Sequence, residues 1–379
     1  MGWSFRIGRI FGIDLYVHAT FFLLPAWVML TEYARTQSVA ATLVELLFVL
    51  LVFAIIVLHE CGHALAARQF GIPTRDITLL PIGGVARLER MPDNPFHEFL
   101  VAIAGPAVNV ALAALLFAWL IAAGRIGSQL VLDPMHGPLD QRLLAVNVWL
   151  VAFNMIPAFP MDGGRVLRSL LAMAIGPLYA TRIAATVGQT LAALLGLAGL
   201  VGGQPFLILI ALFVWVGASQ EASASEIRFL LRGVRVRQAM ISDFRSVGPY
   251  DSLDTVAQHV LAGFQQDFPV VEHDHVVGVI TRSDLLKALA DAGRQGQVAD
   301  VMQREFVAVH PDDALTEAFA KLQSCECRSM PVVQNGQLVG LLTSENVGEY
   351  LMIDNAVRKR PPHPPVPLAA AGRRLYEGQ

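Results

Sequence analysis

Charge is scarce in this sequence. Only 16% of its 379 residues are Asp, Glu, Lys or Arg, against about 25% in a typical soluble domain. The deficit is uneven: the first 230 residues carry long uncharged runs, whereas the last 150 have an ordinary soluble composition. A net charge of −3 supplies no basic field, which argues against nucleic acid as a partner. Cysteine is scarce too. Three residues cannot build a disulfide framework, and Cys325 with Cys327 form one Cys-x-Cys pair with no second pair to complete a metal site.

What is abundant is apolar length. A spanning helix needs about 20 mostly apolar residues, and the expected spans run from Leu15 to Leu30, Ala40 to Ala67, Phe99 to Ala123 and Leu143 to Phe159. Between Ile183 and Gln220 lie 38 residues without a charge. Gly202-Gly203-Gln204-Pro205 interrupts that run, so it reads as a helical hairpin supplying spans five and six. Arg6 and Arg9 precede the first span. Arg68, Arg75, Arg87 and Arg90 follow the second, and Arg165, Arg168 and Arg182 follow the fourth. The loop from Gly124 to Gln141 has only Arg125 as an early cation. This bias predicts that the N-terminus and the soluble half share the cytoplasmic side.

The second span carries His59-Glu60-Cys61-Gly62-His63, which fits H-E-x-x-H. On a helix, positions i and i+4 lie on one face, so two imidazoles can share one cation. Glu60 lies about 100° around the helix, where its carboxylate can take and return protons from a water beside the cation. Ionisable groups in a membrane span are costly and mark function. A catalytic zinc site needs a third protein ligand, and the candidate is Asp162, in Asn154-Met155-Ile156-Pro157-Ala158-Phe159-Pro160-Met161-Asp162-Gly163-Gly164. Locally, Asp162 reads equally well as a helix N-cap. Topology favours the ligand: the second and fourth spans run in the same direction, so His59, roughly 13 Å below the cytoplasmic end at 1.5 Å per residue, falls on the same side of the membrane as Asp162. A zinc site completed by Glu221 or Glu226, which follow the last span, is the other metal reading.

The pair of motifs resembles the site-2 protease family of intramembrane metalloproteases, in the branch that carries a CBS-domain pair, from about Ile7 to Leu351. The resemblance implies one zinc ion held by His59, His63 and Asp162, with Glu60 as general base. It implies single-span membrane proteins as substrates, a lipid environment, and a multi-pass protein of a prokaryotic plasma membrane. Pro81-Ile82-Gly83-Gly84-Val85-Ala86 resembles a family hairpin near the site. Because a helical peptide bond is shielded by its own hydrogen bonds, a substrate must unwind. The stretch Ile77 to Ala86 is the candidate edge strand to receive it, with an interfacial loop as its other reading. Asn154 is a candidate to hydrogen-bond the tetrahedral intermediate or the substrate backbone, and Asn109 a similar one; helix packing is the alternative for both. His18 resembles a family position without an assigned role.

The soluble half repeats itself. Residues 236–292 and 297–355 match at an offset of 62, aligning Met240 with Met302, Phe268-Pro269-Val270-Val271 with Met330-Pro331-Val332-Val333, and Gly278-Val279-Ile280-Thr281 with Gly340-Leu341-Leu342-Thr343. Each unit reads as helix, strand, strand, helix. The pattern resembles a CBS domain, two of which make a pair that dimerises or binds ATP, ADP or AMP. That resemblance points to Thr281 and Asp284, and to Thr343 in the second unit, where Asn346 replaces the acid and weakens the ribose contact.

The expected architecture is thus a polytopic α-helical membrane domain of six transmembrane helices (1–230), then a soluble α+β tandem CBS module (231–355) and a disordered Pro-rich tail (356–379). The expected activity is intramembrane proteolysis under nucleotide control, with a CBS-regulated transporter or channel lacking proteolytic activity as the alternative.

Overall fold

Residues 4–18 form a β-hairpin that takes in the first four residues of the span expected from Leu15 to Leu30. In the computed structural model, β1 (Ser4–Ile10) pairs antiparallel with β2 (Ile13–His18) across a turn in which Phe11 and Gly12 both have positive φ. The structure describes residues 3–358 apart from 82, 89–91, 93, 126–131, 264 and 326–327. It divides into two compact units, Met1–Glu226 and Ile227–Gln379.

In the first unit a short 3-10 turn leads from β2 into α1 (Leu23–Thr36) and then the long α2 (Val39–Gln69), which Ser38 caps by accepting from Ala41 N–H. The strands β3 (Thr74–Leu80) and β4 (Gly83–Leu88) complete a four-stranded sheet of order β1-β2-β3-β4, with β2 and β3 parallel. Period-2 alternation decides its faces. Ile13, Leu15, Val17, Ile77 and Leu79 form one core with Phe53, Val57, Cys61 and Ala64 of α2. The candidate edge segment is therefore two strands, and β4 lies at the sheet edge.

After the sheet come α3 (Pro95–Ala122), α4 (Leu139–Asn154), α5 (Asp162–Ile175), α6 (Pro177–Val201) and α7 (Pro205–Leu230). Among the described residues four helices are long and apolar enough to cross a membrane: α2, α3, α6 and α7. The six-span expectation fails on this measure at two places. The first expected span begins inside β2, where pairing with β1 and β3 takes up the backbone, which leaves α1 only 14 residues. The fourth is the 16-residue α4, which stops at Asn154 because the following segment turns through Pro157 and Pro160. The 202–205 break separates α6 from α7 as expected.

The second unit is a duplicated α/β module. It contains α8 (Leu253–Ala262), β5 (Phe268–Glu272), β6 (His275–Ile280) and α9 (Arg282–Ala292), then α10 (Leu315–Ser324), β7 (Ser329–Gln334), β8 (Gln337–Thr343) and α11 (Ser344–Arg358). The sheet order is β5-β6-β8-β7. Each repeat lends a lead segment to the other: Gln303 exchanges backbone bonds with Val279, and Ile241 with Leu341. Gly278 and Gly340 permit this crossing. A Cβ on the first would stand 2.9 Å from Gln303 O and Met302 Sδ, and on the second 2.9 Å from Ile241 O and 2.8 Å from Met240 Sδ. The Pro-rich tail falls beyond Arg358, outside the described residues.

Candidate metal centre

His59 and His63 stand one helical turn apart on α2, and Asp162 is the first residue of α5. The Nε2 atoms of the two imidazoles lie 3.1 Å apart, and each is 3.1 Å from Asp162 Oδ2. All three residues are at least nine-tenths buried. The N-cap alternative for Asp162 does not hold: Met161 occupies that position, and the carboxylate turns to the imidazoles.

Close backbone packing makes the convergence possible. A Cβ on Gly105 of α3 would collide with the His63 ring and come within 2.7 Å of His59 Nε2. One on Gly62, between the two histidines, would stand 2.8 Å from Ala104 O and Val108 Cγ2. Gly163 and Gly164 lie so close to the backbone of 155–159 that no side chain fits there either. The Asp-Gly-Gly sequence is therefore a packing requirement of the turn that delivers Asp162.

The outer nitrogens decide what the inner ones present. His63 Nδ1 lies 2.7 Å from Val101 O, and a carbonyl only accepts, so this nitrogen carries the proton. His59 Nδ1 lies 2.5 Å from Asn109 Oδ1, again an acceptor. In their neutral form both imidazoles thus aim bare Nε2 lone pairs, with a carboxylate oxygen, at one point. Three such donors repel one another unless a cation sits between them. Two imidazoles and one carboxylate are a donor set zinc takes in catalytic sites, where a tetrahedral arrangement at ~2.1 Å places donors about 3.4 Å apart. The residues present fit a zinc ion: one ligand atom from each of His59, His63 and Asp162 lies within 4.8 Å of the other two.

Glu60 is half-buried, and its Oε2 accepts from Ala86 N–H of β4 at 3.3 Å. Asn154 ends α4, half-buried and outside the hydrogen bonds of the centre. Asn109 is fully buried and bonded to His59. Glu221 and Glu226 are not in the centre; they face Arg168 at 3.8 Å and Arg182 at 3.1 Å. His18 caps the 3-10 turn through Thr20. Sequence reasoning missed Gly105, the Val101 carbonyl and Asn147, whose Oδ1 accepts from Asn109 Nδ2 at 2.9 Å. The signal for Asn147 was a polar residue inside an apolar span.

In the second unit Thr281 and Asp284 line a cavity of about 560 Å³, together with Gln303, Glu305, Arg328 and Ser329 among others. Thr281 Oγ1 donates to Asp284 Oδ2 at 2.7 Å, and Gln303 Nε2 donates to the same oxygen at 2.8 Å. Thr343 is not part of this cavity's lining; its hydroxyl donates to Asn346 Oδ1 at 3.0 Å.

Comparison with known proteins follows this division. The profile of peptidase family M50 matches residues 47–132, and that of the CBS domain matches 236–291 and 298–352. A zinc metalloprotease of Methanocaldococcus jannaschii is 33% identical over 348 residues, covering 92% of this chain and 96% of the relative. A solved site-2 protease from the same organism is 37% identical, covering 58% of this chain and 95% of its own, with a TM-score of 0.43. The structure of CBSX2 in complex with AMP is 26% identical over 32% of this chain and 99% of its own, with a TM-score of 0.30. With two histidines and an aspartate poised for zinc and a relative of this extent, the chain belongs to peptidase family M50, the site-2 protease family of zinc metalloproteases, and carries a CBS-domain pair.

Proposed function

We propose that this metalloprotease hydrolyses peptide bonds within or near the transmembrane segments of single-span membrane proteins, and that an adenine nucleotide in the CBS cavity regulates it. The observation that carries the reading is the burial of His59 and His63, on a helix long and apolar enough to cross a membrane, at one point with Asp162 of α5. His59, His63 and Asp162 would hold the zinc. When bound, the ion supplies Lewis acidity that polarises a carbonyl and makes water acidic near neutral pH. Glu60 takes the proton from the attacking water and returns it to the leaving amine.

The substrate needs replacement backbone partners once unwound, because lipid offers none. The edge strand β4 supplies them. Its Ala86 N–H donates to Glu60, so a strand added along that edge would pass beside the general base. Asn154, outside the hydrogen bonds of the centre, closes α4 just before the turn through Pro157 and Pro160 and is available to a substrate carbonyl.

We extend the same reading to topology. The 14 residues of α1 and the 16 of α4, about 21 and 24 Å long at 1.5 Å per residue, cross with local bilayer thinning, giving six spans. The N-terminus and CBS pair are then cytoplasmic in a prokaryotic plasma membrane. The CBS pair serves nucleotide sensing, with Thr281 as the phosphate partner and Asp284 as the ribose partner, and it can also dimerise two chains. The test is membrane proteomics of cells carrying the wild type or Glu60→Gln. Accumulation of uncut single-span precursors in the variant is expected; an unchanged membrane proteome contradicts intramembrane proteolysis.

A further inference from the structure

Buried polar side chains inside a membrane domain are costly unless every group is satisfied. Asn109 on α3 and Asn147 on α4 are both fully buried, and both amides are used. Asn147 Nδ2 donates to Leu143 O at 2.9 Å, Asn109 Nδ2 donates to Asn147 Oδ1 at 2.9 Å, and Asn109 Oδ1 faces His59 Nδ1 at 2.5 Å.

This chain of bonds has a direction, and one atom sets it. Leu143 O is a carbonyl and cannot donate, so Asn147 must turn its NH2 toward it. The Asn147 oxygen is then the only atom it can offer to Asn109, which must answer with its own NH2. The Asn109 oxygen therefore faces His59, and the His59 proton is held on Nδ1. Were the Asn109 amide to flip, its NH2 would face Nδ1, the proton would move to Nε2, and His59 could no longer donate a lone pair to a metal. Asn109 alone does not prevent the flip, because an amide presents a donor on one side and an acceptor on the other.

We propose that Asn147, which does not touch the metal centre, is a positioning residue that fixes the His59 tautomer through Asn109 and thereby sets the affinity of the centre for zinc. The inference rests on the zinc reading of the centre but not on any substrate or reaction.

Its test is zinc affinity of the full-length protein in nanodiscs, by competition with a chromogenic chelator. Asn147→Leu is expected to weaken zinc binding by about 10- to 100-fold, the usual cost of losing a partner behind a metal ligand. Asn109→Asp supplies the discriminating background. An ionised carboxylate only accepts, so His59 Nδ1–H is held without help from Asn147. In the Asn109→Asp background the same Asn147→Leu change is expected to cost less than about threefold, since little beyond packing remains to be lost. Asn147→Ala, which adds no bulk, repeats the comparison and is the variant used should leucine prevent folding. An equal loss in both backgrounds shows Asn147 to be a packing residue and overturns the proposal. So does undiminished zinc affinity of the Asn147 variants in the native background. Zinc bound by Asn109→Asp at least as tightly as by the native chain, together with rescue of Asn147→Leu, is the expected result.

Discussion

In the first unit three donors from positions 59, 63 and 162 reach one point, brought there by helices whose contact surfaces are reduced to glycine at 62, 105, 163 and 164. In the second unit the key contacts occur twice, at an offset of 62, and Gly278 and Gly340 mark the same crossing in each repeat. The first unit has one site assembled by convergence. The second has two equivalent positions with the same local cap, Asp284 on Thr281 and Asn346 on Thr343, but they differ in charge, and the acid at the first lines a cavity whose lining does not include Asn346. Convergent sites fail when any one approach is blocked; duplicated ones can lose a copy and keep the fold.

The comparison can be broken most sharply at Glu60. Glu60→Gln is expected to reduce cleavage of a co-expressed substrate by about 100- to 10,000-fold, the range for a lost general base, while leaving zinc bound. Zinc loss in that variant would mean Glu60 belongs to the donor set. Next in size is Gly105→Ala. Its Cβ collides with the facing imidazoles, and overpacking of about 1–3 kcal/mol should appear as weaker zinc binding in the chelator assay, with melting of the second unit unchanged. Gly340→Ala is the mirror experiment. Thermal denaturation should show the second unit destabilised by about 1–3 kcal/mol, and zinc content should not move. The smallest effects separate the two repeats. By calorimetry, Asp284→Ala should weaken AMP binding by about tenfold, as expected for a hydrogen bond to a charged group. Thr343→Ala, outside the cavity, should leave AMP binding unchanged.

The parts of this molecule that were legible in the sequence are those in which chemistry fixes spacing. His59 and His63 had to be four apart to share a helix face, and the Asp162 turn had to carry glycines. The duplicated module announced itself through repeated Pro-Val-Val and Gly-x-x-Thr segments. The N-terminal sheet was hidden for a physical reason. Ile13-Asp14-Leu15-Tyr16-Val17-His18 alternates as a strand should, but it runs into the apolar residues of α1, and total apolar length outweighed the period-2 signal. The C-terminal end of α4 was placed late, at Phe159 and not Asn154, because prolines stop a helix earlier than hydropathy fades. Asn109 was visible as a polar residue in a span, but its partner was not, because α3 and α4 meet through residues 38 apart that share no motif. Side chains that act through another side chain leave little trace in local pattern.

On the proposed reading, two imidazoles and one distant carboxylate hold a single zinc ion. X-ray absorption at the zinc edge, with metal analysis of the purified full-length protein and of Asp162→Ala, tests it most directly. One zinc per chain with nitrogen and oxygen neighbours, lost or much weakened in Asp162→Ala, is the expected result. A sulfur neighbour, which would implicate Cys61, or an unaltered spectrum and zinc content in Asp162→Ala, would contradict it.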